Sequence, residues 1–149
     1  MGGSHHTSPG AAANNLCLPP NPVFEDHKTP LYHAQLAGAE YETYGESTMD
    51  LEPECAVCRI PRATQLMLPA TNACLSGWTL EYSGYLMAGL PSHPAASEYI
   101  CVDSSLGYLP GTQANSNGKL VFYTVTSCGS LACPPYVNNK VVLCAVCSK

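Results

Sequence analysis

The side chains in this sequence that are best suited to chemistry are oxygen donors in two polar stretches. The first is the turn-rich loop Asp103–Asn117, in which Gln113, Asn115 and Asn117 alternate. Alternate residues of an extended segment point to the same side, so these three amides can face one point. Calcium takes about six to eight such oxygens, usually from loops. We therefore predict a calcium site formed by Asp103, Gln113, Asn115 and Asn117, with Glu98 in support.

The second stretch is the acidic segment Glu46–Glu54, in which Asp50, Glu52 and Glu54 also alternate. It offers a second place for calcium, although neither stretch has the spacing of an EF-hand loop. For both stretches the simpler interpretation is a solvated loop whose Asn, Asp and Gly residues form turns.

An aromatic residue beside such oxygens is typical of a sugar-binding site. Tyr108 lies in the same loop as the amides, next to Gly107 and close to Pro110, and we expect it to be exposed. We predict that a sugar contacts Tyr108, Gln113 and Asn115. The only Trp, Trp78, lies on an alternating segment, and we expect it in the core.

The sequence contains no pattern typical of an enzyme. It has no GxSxG, HExxH, GxGxxG or GxxxxGK[ST] motif, and no spacing of carboxylates singles out a glycosidase pair. We expect a protein that is not an enzyme. We also expect its five histidines to be surface residues and not metal ligands: His5, His6, His27, His33 and His93.

Cysteines are abundant, with nine in 149 residues, and they predict a disulfide-stabilised extracellular domain. Four bridges leave one thiol over, which in a secreted protein suggests a covalent homodimer. The two Cys-Ala-Val-Cys pairs lie too far apart in the sequence for a zinc ribbon. A thioredoxin-like redox site would require a βαβ unit around the pair, and the sequence predicts none. The predicted disulfide cysteines are Cys17, Cys55, Cys58, Cys74, Cys101, Cys128, Cys133, Cys144 and Cys147.

The spacing within each Cys-Ala-Val-Cys pair limits how it can bond. Residues i and i+3 of a strand point to opposite faces, so the two thiols of one pair do not easily bridge each other. The overall connectivity stays open at this point. Cys17 and Cys147 are the predicted candidates for the bond to a second subunit, because Cys17 lies early in a flexible region and Cys147 lies near the C-terminus, where both are expected to be accessible.

Composition restricts the class of partner. Charged residues are only 11% of the chain, with six basic against eleven acidic residues. Nucleic acids and anionic membranes require a Lys/Arg patch, so we expect neither as a partner. No apolar run is long enough to span a bilayer, so we expect no membrane insertion. Met1–His6 lacks the features of a signal peptide, and we expect the signal to have been removed from a secreted protein.

The elements that position these residues are predicted to be short antiparallel strands joined by long irregular loops, in a single domain over residues 1–149. Residues 1–30 are predicted to be largely irregular and pinned by Cys17 and Phe24. In Trp78–Met87, which alternates most clearly, Gly84 is the expected bulge. The other predicted strands are Cys55–Arg59, Gln65–Leu68, Glu98–Val102, Lys119–Thr126, Lys140–Val146 and part of Leu31–Tyr44.

Several phrases together resemble a secreted domain of marine invertebrates, which occurs in the short-chain collagens of sponges and as stand-alone proteins in cnidarians and molluscs. The resemblance spans most of the chain and includes its cysteine framework. The phrases are Ala12–Pro19, Gly38–Glu42, Cys55–Cys58, Cys74–Trp78, Glu81–Met87, Cys101–Asp103, Cys133–Tyr136 and Cys144–Lys149.

The resemblance extends to galactose-binding lectins of sea anemones, which implies a calcium-dependent, disulfide-linked homodimer that recognises galactose-terminated glycans. The absence of a Gly-x-y tract favours such a lectin over a collagen. The alternative hypothesis is a structural or adhesive extracellular-matrix module that binds no small ligand. An acidic and amide cluster at one exposed site would discriminate between them, because a structural module needs none.

Overall fold

Seven β-strands form the regular structure of the residues that the structure describes. The computed structural model describes residues 1–26 and 29–149, so the prediction for His27 lies outside the described residues. The mainly β, disulfide-stabilised fold is confirmed, and no helix occurs in the described ranges. The strands are β1 (Gly2–Gly3), β2 (Ala37–Tyr41), β3 (Gln65–Pro69), β4 (Thr79–Ala88), β5 (Ile100–Asp103), β6 (Lys119–Tyr123) and β7 (Leu143–Ser148).

The chain divides into two compact units, each assembled from several segments. This division does not test the single-domain prediction, which stays a prediction. The first unit comprises Met1–Val57, Gly89–Glu98 and Tyr108–Val121, and the second comprises Cys58–Ala88, Tyr99–Gly107 and Phe122–Lys149.

The first unit is built around β2. This strand pairs with β1 in antiparallel fashion and with the first three residues of β6 in parallel fashion. The parallel pair departs from the expected antiparallel arrangement; parallel pairing needs a long crossover connection, which residues 42–118 provide. The buried apolar side chains of this unit are Ala39, Tyr41, Leu51, Leu120 and Val121.

The second unit is built around β4 and β7. These two strands pair along most of their length, β3 lies on the other edge of β7, and β5 and the end of β6 pair with β4. Because β7 has a partner on both edges, its residues from Cys144 to Ser148 are all buried. Leu86 and Met87 of β4 and Leu106 are also buried in this unit.

The bulge in β4 does not lie at Gly84, as predicted, but between Leu80 and Tyr82. Gly84 serves a different purpose, because a Cβ atom there would lie 1.9 Å from the carbonyl oxygen of Val102. A lone glycine in a strand indicates either a bulge or a close backbone approach, and here it is the second.

The bulge places Glu81 in a polar network in the second unit. Its Oε1 accepts hydrogen bonds from the buried Ser148 hydroxyl and from Arg62, which also donates to Ser148. These bonds, that from Ser148 first, lower the pKa of the Glu81 carboxyl. The network joins β4, β7 and the loop before β3, so its role is structural.

Three further local predictions were wrong. Cys55–Arg59 forms no strand, because it has no paired neighbour for its backbone. Phe24 is 83% exposed and pins nothing in this structure. Trp78 is only half-buried and precedes β4, so it lies outside the core.

The four disulfides are Cys17–Cys55, Cys74–Cys147, Cys101–Cys144 and Cys128–Cys133. Neither Cys-Ala-Val-Cys pair closes on itself. Strand geometry accounts for this at Cys144 and Cys147 in β7, but not at Cys55 and Cys58, which form no strand. The remaining cysteine is Cys58, which is free and exposed. The choice of Cys17 and Cys147 as candidates for an intersubunit bond was therefore wrong, since position near a terminus does not decide which thiols meet.

Four disulfides are typical of a protein that folds in an oxidising environment. The described part of the chain has no helix of the length and apolarity that crossing a membrane requires.

Candidate functional site

Three carboxylates converge in the first unit. One oxygen from each of Glu40, Glu42 and Asp50 lies within 4.8 Å of the others, and we call this group the acidic triad. Among the described residues it is the only group of three or more His, Cys, Asp or Glu side chains close enough to share a metal ion. The acidic triad could therefore hold a cation.

Strand β2 and the turn after it position the three side chains. Glu40 and Glu42 are two residues apart in extended chain, so both point to the same side. The chain then turns back, and the backbone N–H of Asp50 donates to the carbonyl of Tyr41 at 2.9 Å. The N–H of Tyr41 donates in return to Leu51 O, also at 2.9 Å, which fixes Asp50 opposite the two glutamates.

Glu40 is the most firmly held member of the acidic triad. It is only 2% exposed, and its Oε1 accepts the backbone N–H groups of Ser116 at 2.8 Å and Asn117 at 3.0 Å. Buried carboxylates require such donors, because an unpaired charge away from water is costly. Two segments distant in sequence therefore meet at this carboxylate.

Asp50 has an oxygen that the protein itself does not satisfy. Its Oδ1 is buried and accepts no hydrogen bond from any described residue. Nearly all buried polar atoms have a partner, so an orphaned carboxylate oxygen needs an explanation. A cation shared with Glu40 and Glu42 would give the Asp50 carboxylate a partner and would neutralise the repulsion among the three carboxylates.

The electrostatics of the acidic triad act most visibly on Glu42. Partial burial raises the pKa of its carboxyl, and the charges of Asp50 and then Glu40 raise it further, while His6 acts in the opposite direction. Ionisation of Glu42 is therefore less favourable in the metal-free protein than in water. A bound cation would favour the ionised form.

The sequence-predicted calcium ligands are only partly brought together. Asn115 and Asn117 do meet, because the Asn117 amide donates to Asn115 Oδ1, and Gln113 is exposed in the same unit. Glu98 is also exposed in the first unit. Asp103 belongs to the second unit, where its Oδ1 accepts the N–H of Ser105 at 2.8 Å in a local turn.

The alternative acidic stretch supplies one member of the acidic triad, Asp50. Glu52 instead forms backbone hydrogen bonds with the loop Asp103–Asn117. Its N–H donates to Thr112 Oγ1 at 3.2 Å, and its carbonyl accepts the N–H of Leu109 at 3.0 Å. Glu54 is exposed. The predicted sugar contact Tyr108 is 45% exposed and forms a β-bridge with Pro53.

Sequence reasoning missed Glu40 and Glu42, which are two of the three residues of the acidic triad. The available signal was the alternation Glu40-Tyr41-Glu42 at the end of a predicted strand, since it places two carboxylates on one face. What it could not indicate was that Asp50 folds back onto that face.

All three donors of the acidic triad are carboxylate oxygens, which are ligands that hard cations favour. The described histidines and the free Cys58 take no part in it. No protein-family model matches this chain, and no solved structure matches it.

Proposed function

We propose that this protein is a secreted lectin that binds terminal galactose through a calcium ion held at the acidic triad. The observation that carries the proposal is the convergence of the Glu40, Glu42 and Asp50 carboxylates, together with the buried, unpartnered Oδ1 of Asp50. The choice of galactose comes from the resemblance in the sequence.

Calcium suits this donor set better than magnesium does. Three carboxylates that converge from a strand and a turn form an irregular donor set, which calcium tolerates, whereas magnesium demands a near-ideal octahedron. Calcium coordination is also large enough to leave positions for ligand oxygens. A bound calcium would supply electrostatic attraction for two vicinal hydroxyls of a sugar.

The protein's own contribution to sugar binding is proposed to come from exposed polar and aromatic groups in the first unit. Tyr108 offers an aromatic face, and Gln113 offers both a donor and an acceptor. Asn115 is held by its bond with Asn117, which pre-organises its amide. Such donors and acceptors discriminate between epimers, because a misplaced hydroxyl leaves one of them unpaired.

A galactose column tests the lectin proposal. The oxidised protein is expected to be retained in calcium and released by a chelator, and also by free galactose. Retention that only free galactose reverses would keep the lectin and remove the metal from the proposal. Complete failure to bind would favour the structural or adhesive matrix module, for which the exposed apolar side chains of Val23, Phe24, Leu31 and Tyr32 are suitable.

The disulfide-linked homodimer is proposed to form through Cys58, which is exposed and is the one cysteine without an intrachain partner. Cys58→Ser is expected to convert the dimer into a monomer on a non-reducing gel. Galactose binding by each subunit should persist, but agglutination of cells should fall because avidity needs two linked sites. A Cys58→Ser protein that still migrates as a covalent dimer would contradict this assignment.

A further inference from the structure

Tyr44 stands out among the tyrosines for its accessibility. Its side chain is 95% exposed, and none of the hydrogen bonds described in this structure involves its hydroxyl. It lies in a tight turn that is closed by a hydrogen bond of 2.9 Å from the N–H of Glu46 to the carbonyl of Thr43. Gly45, the other central residue of this turn, has a positive φ of 86°. The turn presents the phenol to solvent at its apex.

The charge around Tyr44 in the sequence is entirely negative. Glu40, Glu42 and Glu46 all lie within a few residues of it, and no Lys or Arg occurs between residues 29 and 58. A modifying enzyme that uses an anionic group donor binds that donor in a cleft lined by basic residues. Such a cleft also attracts a peptide segment that carries negative charge. Tyr44 therefore combines an accessible nucleophile with the charge that such a cleft selects.

Two other tyrosines each have only one of these two properties, which are an exposed side chain and acidic neighbours in the sequence. Tyr41 shares the same acidic neighbours but is only 1% exposed. Tyr32 is 90% exposed but has no acidic residue within five positions. The chain thus contains its own controls for accessibility and for charge.

We propose that Tyr44 is a site of O-sulfation by a tyrosine sulfotransferase of the secretory pathway. The inference depends on the secretion included in the proposed function. The sulfuryl donor is 3′-phosphoadenosine 5′-phosphosulfate. The phenol oxygen attacks its sulfur, the bond from sulfur to the bridging phosphate oxygen breaks, and the phenol proton passes to a base of the enzyme. The products are the tyrosine sulfate ester and adenosine 3′,5′-bisphosphate, with no change in oxidation state.

Sulfation would add a permanent negative charge to a segment that already supplies two carboxylates to the acidic triad. The chain has a formal net charge of −5, so the ester increases an existing excess of negative charge. This charge strengthens electrostatic attraction for cations and for basic partner surfaces. Unlike a carboxylate, a sulfate ester keeps its charge in mildly acidic solution.

The test uses the purified, folded protein with a recombinant tyrosine sulfotransferase and radiolabelled donor. Wild-type protein and Tyr32→Phe are expected to incorporate label equally, and Tyr44→Phe is expected to fall to background. Peptide mapping of the wild type should place the label on Tyr44 and not on Tyr41. Undiminished labelling of Tyr44→Phe, or no labelling of the wild type, would overturn the proposal.

A second measurement addresses the modification in cells. Protein secreted from eukaryotic cells is expected to gain the mass of one SO3 group, which acid removes and phosphatase does not. A phosphatase-sensitive group on Tyr44 would overturn sulfation in favour of phosphorylation. The reaction with purified enzyme requires neither galactose nor calcium, so its outcome is independent of the column experiment that tests the lectin.

Discussion

Glu42→Gln is expected to weaken calcium binding about ten- to a hundredfold, because one of three converging carboxylates loses its charge while its shape is kept. Glu42 is the best member of the acidic triad to change. Glu40 also holds the backbone of Ser116 and Asn117, so its replacement would disturb the fold as well as the site. Isothermal titration calorimetry with calcium measures the effect directly.

The same variant should have the opposite effect on the metal-free protein. The pKa of Glu42 is raised by burial and by the neighbouring Asp50 and Glu40. The stability that Glu42 contributes is therefore fully present below the unfolded pKa and is lost as the pH rises through the folded pKa. Above that window Glu42→Gln should have the larger free energy of unfolding, and added calcium should reverse the order because it binds only the folded wild-type site tightly.

Two control variants identify the site. Glu25→Gln removes the same charge from an exposed position outside the acidic triad, and it should leave calcium affinity nearly unchanged. Asn115→Ala tests the calcium ligand predicted from sequence. Equal affinities of Glu42→Gln and Glu25→Gln would contradict a cation at the acidic triad. A loss of affinity confined to Asn115→Ala would place the cation in the loop Asp103–Asn117 instead.

Removal of the Cys74–Cys147 disulfide by the paired change Cys74→Ala and Cys147→Ala is expected to cost about 4 kcal/mol of unfolding free energy. The bridge spans a sequence separation of 73 residues, the largest of the four, so it restricts the unfolded chain most. Cys147 is also fully buried in β7, where loss of its sulfur leaves a cavity. Equilibrium unfolding in urea, monitored by circular dichroism, gives the value.

The matched control is the bridge Cys128–Cys133, with a sequence separation of only 5. Its removal by Cys128→Ala and Cys133→Ala should cost about 2 kcal/mol, since a short loop loses little entropy when it closes. A reversed order of the two losses would contradict the chain-entropy argument. It would show instead that local packing around Cys128 dominates stability.

The local pattern of residues located most of the strands. Alternation over Trp78–Met87 predicted β4, and the apolar run Gln65–Leu68 predicted β3. Both predictions are confirmed to within one or two residues. The signal for β4 is the period of two in a half-buried strand, and the signal for β3 is a short apolar run that ends at a proline. The segment Cys55–Arg59 shows the limit of this reasoning: it has an apolar pattern, but no other strand pairs with it.

For the cysteines too, some properties follow from the local sequence and others only from the tertiary structure. Their number predicted disulfides and one unpaired thiol, and the Cys-x-x-Cys spacing predicted that Cys144 and Cys147 bond in different directions. Neither number nor spacing could identify Cys58 as the free cysteine. That depends on which strands and loops place two sulfur atoms within bonding reach.

The acidic triad required the tertiary structure for a similar reason. That Glu40 and Glu42 share a face follows from strand periodicity, which is a property of a few adjacent residues. That Asp50 returns to this face, and that the backbone of Ser116 and Asn117 secures Glu40 from a distant segment, follows from turn geometry and strand register. Composition and periodicity therefore determined the fold class and the disulfide chemistry, whereas long-range backbone pairing alone decided which carboxylates meet.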